Sequence, residues 1–138
     1  MLTSSRPGPL RTLALWGPVV AYMALIFYLS SLSSLPVPLP PTVSDKQAHS
    51  FGYLWLGLLM LRAVARGRWQ GVSWRTAVVA ILLATAYGVS DEFHQSFVPG
   101  RDADVHDVMA DAAGATVGAA LVWAWGIIAA VRARADTR

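Results

Sequence analysis

The chain contains no cysteine. Disulfides, CxxC redox chemistry, thiolate zinc sites and cysteine nucleophiles are therefore all excluded. Charge is scarce as well: Asp, Glu, Lys and Arg make up 14% of the 138 residues, against roughly 25% in soluble domains. Lys46 is the single lysine among eleven basic residues, and no basic run exists that would track nucleic acid despite the net charge of +3. What is present is apolar. Hydrophobic residues reach 55% and the mean hydropathy is +0.47. A chain of one domain's length buries only a modest fraction of its surface and cannot hide that much apolar area from water. Disorder needs the opposite balance, low hydrophobicity with high charge. The composition is that of an integral membrane protein, expected as a single domain over residues 1–138.

A bilayer core about 30 Å thick takes roughly 20 helical residues. Four apolar segments, at about 13–31, 44–65, 75–98 and 104–131, predict an all-α four-helix membrane bundle. They are separated by the proline-rich SSLSSLPVPLPP, by RGRWQGVSW and by PGRDAD, a turn through its Pro-Gly pair. With the N-terminus inside, Arg6, Arg11, Arg62, Arg66, Arg68, Arg75, Arg132, Arg134 and Arg138 fall on the inner side, and only Lys46 and Arg101 on the outer. Short loops so biased orient a chain positive-inside, and Trp16, Trp69 and Trp74 lie near the same boundary. Both termini are expected in the cytoplasm, with four crossings. A cleaved signal peptide is the rival for the first segment, but its apolar run exceeds the roughly 7–15 residues of a signal core.

The acids carry more information than the bases. Asp45, Asp91, Glu92, Asp102, Asp104, Asp107 and Asp111 fall on the outer side and only Asp136 on the inner. Fifteen residues separate Arg75 from Asp91, about 22 Å of helix, too short to span. The third helix should therefore run on past Asp91, Glu92, His94 and Gln95 towards Pro99-Gly100. A charge within a membrane helix costs about 2.5–3.5 kcal/mol at its centre and less near the interface, so several from different helices mark a site. Spacing points them at one another. Asp45 and His49 are four apart, as are Asp91 and Gln95, and Asp107, Asp111, Gly114 and Gly118 follow at four, three and four. Gly114 and Gly118 form a small-xxx-small pair, so that stripe faces a neighbouring helix. Asp45 and Asp107 also suit helix N-termini as caps, Lys46 and Arg101 suit a role as counter-ions, and the glycines suit packing.

These residues resemble the VanZ-like family of small bacterial membrane proteins. DKQAHSFGY at 45–53 is similar to the family's D-K-x-x-H-x-x-x-Y, with Asp45, Lys46, His49 and Tyr53 in place. Asp91, Glu92, His94 and Gln95, followed by Pro99, Gly100 and Arg101, match its second element. Asp107, Gly114 and Gly118 match the third, where Asp111 replaces an Asn frequent in the family. The resemblance implies a multi-pass protein of the bacterial cytoplasmic membrane. It also implies an accessory role in resistance to a glycopeptide antibiotic, with no reaction established for the family as a whole.

Two functions compete. One is an accessory binding protein whose outward polar pocket takes a cell-envelope lipid head group, an envelope precursor or a glycopeptide. Lys46 and Arg101 would contact its anionic groups, and Asp45, His49, Tyr53, Asp91, Gln95, Asp107 and Asp111 the rest. The other is an intramembrane enzyme in which Glu92 and His94 supply acid–base chemistry to such a head group. A divalent-metal site using Asp45, His49, Asp91, His94 and Asp111 and a proton or ion pathway are weaker alternatives, since no recognised spacing such as HExxH is present. No metal, no cofactor and no nucleic-acid partner is expected.

Overall fold

The computed structural model describes residues 8–34, 36 and 38–135. Arg6, Asp136 and Arg138, counted above in the charge balance, lie outside them. Four helices make up the regular structure: α1 (Pro9–Ser30), α2 (Asp45–Val64), α3 (Trp74–Gln95) and α4 (Val105–Ala135). No strand occurs among the described residues. α1, α3 and α4 are each long and apolar enough to cross a membrane.

Helix boundaries differ from expectation for local reasons. α1 starts earlier because Pro9 occupies its first turn, where a missing N–H costs nothing. α4 runs through Arg132 and Arg134 to Ala135, since arginine is a good helix former. α3 stops at Gln95. The N–H groups of Phe97 and Val98 turn back to the carbonyls of His94 and Gln95, three residues away, and Pro99 prevents any return to helix. Gly100 then reverses the chain at φ +82°. The cap of α2 is Ser44, which forms a reciprocal capping box with Gln47, rather than Asp45. For α4 it is Asp104, whose carboxylate accepts from the N–H of His106, rather than Asp107.

α2 is the central helix, packed on α4, α3 and α1. It falls outside the set apolar enough to span, and its enclosure by three neighbours explains how polar residues are accommodated there. The α2–α4 contact is backbone on backbone. A Cβ on Gly114 would collide with the carbonyl of Ser50, one on Gly118 with that of Leu54, and one on Gly57 with Ala115. The helices alternate in direction, so two chemically distinct ends result. At one, Arg11 donates to the carbonyl of Arg66 and Arg62 to that of Ala14. At the other lie the described acids, the histidines and Lys46.

Candidate functional site

The acid-bearing end is built in three parts. Towards α1, Asp91 is 3% exposed. Its Oδ1 accepts from the hydroxyl of Ser30 at 2.6 Å and its Oδ2 from Gln95 at 3.3 Å. One turn on, His94 stacks on Phe27, with ring centroids 4.3 Å apart, and its Nε2 shares a hydrogen bond with Ser31. Arg101 crosses to the C-terminus of α1 and donates to the carbonyls of Leu32 and Leu29. A cation there complements the helix dipole.

Between α2 and α4, His49 Nδ1 lies 3.0 Å from Oδ1 of Asp111, whose side chain is 1% exposed. Nearer the surface the ammonium of Lys46 joins Asp104 at 2.8 Å and Asp107 at 2.9 Å. Lys46 and then two hydrogen bonds from His106 hold the Asp104 carboxyl well below the usual range. Between α3 and α4, the backbone N–H of Asp104 donates to Glu92 Oε1 at 2.6 Å. Three buried polar atoms have no partner among the described residues: the Tyr53 hydroxyl, Glu92 Oε2 and Asp111 Oδ2. Gly88 makes room for two of these residues, since a Cβ there would lie 2.9 Å from Asp111 Oδ2 and 3.2 Å from the Tyr53 ring.

A cavity of about 260 Å³ opens among α1, α2 and α3. Its polar wall holds Asp45, His49, Tyr53, Asp91, Gln95 and Arg101, and its apolar wall holds Leu25, Ile26, Leu29 and Leu39. Residues 15–128 match the VanZ/LLP1 family. The chain belongs to that family. No curated protein and no solved structure matches the chain significantly.

Of the residues singled out in the sequence, six thus share one cavity. Lys46, Asp107 and Asp111 lie beyond its wall, around His49. Glu92 and His94 are not joined: Glu92 reaches the start of α4 and His94 reaches α1. Sequence reasoning missed the α1 contribution. Ser30 and Ser31, at the boundary between the first apolar segment and the serine-rich run, carry no role in the sequence reading, yet they hold Asp91 and His94. Tyr22, which lines the cavity and donates to the carbonyl of Gly52, and Tyr87, which donates to that of Met23, also went unnoticed because aromatic residues in an apolar run give no polar signal.

Proposed function

We propose that this VanZ/LLP1 protein binds the head group of a cell-envelope lipid or lipid-linked precursor at the outer face of the bacterial cytoplasmic membrane, as an accessory protein. The observation that carries this function is the cavity. Its mixed wall suits a head group on one side and the start of an acyl chain against Leu25, Ile26 and Leu29 on the other. Tyr53, whose buried hydroxyl has no partner among the described residues, forms part of the same wall. At about 260 Å³ the cavity falls just below the ~300–1,000 Å³ of drug-sized sites. A head group fits that volume better than a whole glycopeptide, so a resistance role would act through the lipid and not by enclosing the drug.

The arginine-rich end is placed in the cytoplasm by the positive-inside rule, which puts the cavity near the outer interface. Four crossings follow, with α2 shielded by its neighbours. The acid–base alternative draws less from the geometry, because Glu92 and His94 bond to different elements.

Gly52 offers a direct test. It lines the cavity, and a Cβ there meets nothing within 4 Å, so Gly52→Leu should fill the space without disturbing the helix. Native mass spectrometry of protein released from mild detergent is expected to show one retained lipid per wild-type chain and none on Gly52→Leu, at equal helical content. In a host expressing each form, any change in glycopeptide susceptibility should disappear with Gly52→Leu at unchanged abundance. A wild-type chain without lipid, or a Gly52→Leu chain that keeps it, would overturn the function.

A further inference from the structure

The first turns of α2 and α4 bring together three groups that ligate metals. Carboxylate oxygens of Asp45 and Asp107 and a ring nitrogen of His49 all lie within 4.8 Å of one another. Asp45 and His49 stand four apart on one face of α2, the spacing by which a single helix offers two ligands to one ion. Asp107 arrives from α4. His49 is also held as metal-binding imidazoles are held. Its Nδ1 faces the buried carboxylate of Asp111 at 3.0 Å; donating there leaves the lone pair on Nε2 and fixes the ring.

The surroundings point to a ligand independently of the triad. Asp45 and His49 form part of the cavity wall, and so does Tyr53, which is 2% exposed and whose hydroxyl has no partner. Asp45 and His49 therefore face the cavity, Asp107 closes the group from α4 behind its wall, and the Tyr53 hydroxyl lies one turn deeper along α2, buried and without a partner among the described residues. Lys46 occupies Oδ1 of Asp107 and leaves the second oxygen of that carboxylate for an ion. We propose that Asp45, His49 and Asp107 form a divalent-cation site with Asp111 as the residue that positions His49. One nitrogen and two carboxylate donors suit zinc or manganese. Three protein ligands with an open side match sites that keep a position for water or substrate, not closed structural ones. The ion would present positive charge to a phosphate in the cavity, but its binding does not depend on a lipid and is measured without one. The ligands come from two helices distant in sequence, which is why no single-segment motif announces them.

Full-length protein in detergent, stripped with chelator, is titrated calorimetrically with Zn²⁺ and with Mn²⁺, and bound Mn²⁺ is read by electron paramagnetic resonance. One ion per chain is expected. Asp45→Asn and His49→Gln should each weaken binding by at least about tenfold, and Asp111→Asn by a smaller factor. Asp102→Asn, an exposed acid outside the triad, should leave it unchanged. Asp45 is exposed and its side chain makes no hydrogen bond among the described residues, so Asp45→Asn keeps the test open even where His49→Gln folds poorly. No saturable binding by the wild-type chain, or equal weakening by Asp45→Asn and Asp102→Asn, would overturn the proposal.

Discussion

Single side chains at the acid-bearing end divide into those with a complete set of partners and those without. Asp91 is satisfied on both oxygens, by Ser30 and Gln95. Glu92 and Asp111 each keep one buried oxygen unpartnered, and such an atom carries a desolvation cost of about 1–3 kcal/mol. Asp104 stands at the other extreme, half-buried and held by Lys46 and His106. Its pKa is lowered on folding, so its charge stabilises the folded protein above the ordinary aspartate value of about 3.9 and ceases to do so as pH falls through the depressed folded value. Carboxyl ¹³C NMR should therefore find the Asp104 midpoint well below that of an unpaired aspartate, and Lys46→Met should move it up. A wild-type midpoint at the ordinary value would mean that the Lys46 pair does not form in solution.

At the level of whole helices, the α2–α4 contact decides where the polar groups stand. Because Gly114 and Gly118 let the α4 backbone rest on the carbonyls of Ser50 and Leu54, the first turns of both helices meet and His49 can reach Asp111. Gly118→Ala forces a methyl group into the Leu54 carbonyl and should destabilise the protein by about 1–3 kcal/mol, the usual range for overpacking. Gly52→Ala, on the same helix as Leu54 but with open space around it, should be neutral or stabilising by up to about 1 kcal/mol through helix propensity. Thermal unfolding in detergent separates the two. Equal effects would mean that the backbone approach at Gly118 does not govern stability.

For the molecule as a whole, the charge asymmetry between the two ends is the leading feature. Arginines gather at one end and carboxylates at the other, about a helix length apart. With no native cysteine, single introduced thiols report orientation cleanly. Ser96→Cys, exposed after the end of α3, should react with an impermeant thiol reagent in intact cells. Gln70→Cys, exposed between α2 and α3, should react only after permeabilisation. The opposite pattern would reverse the orientation and put the cavity on the cytoplasmic side.

The sequence by itself determined the class of protein, the number of helices and the end of the bundle at which chemistry gathers. Hydropathy sets helix length against bilayer thickness, and local spacing sets which residues share a helix face. It also identified Gly114 and Gly118 as a packing stripe, because small residues four apart have few other uses in lipid. Only the tertiary structure decided which polar groups pair. Ser30 is legible in the sequence as the end of the first segment, but its bond to Asp91 depends on α1 ending beside α3. Glu92 and His94 are only two residues apart, yet at about 100° per residue they project about 160° apart around α3 and reach different helices. Asp45, His49 and Asp107 met only when α2 and α4 came into backbone contact. Pairing between helices depends on crossing geometry and register, and neither is written in the periodicity of any one segment.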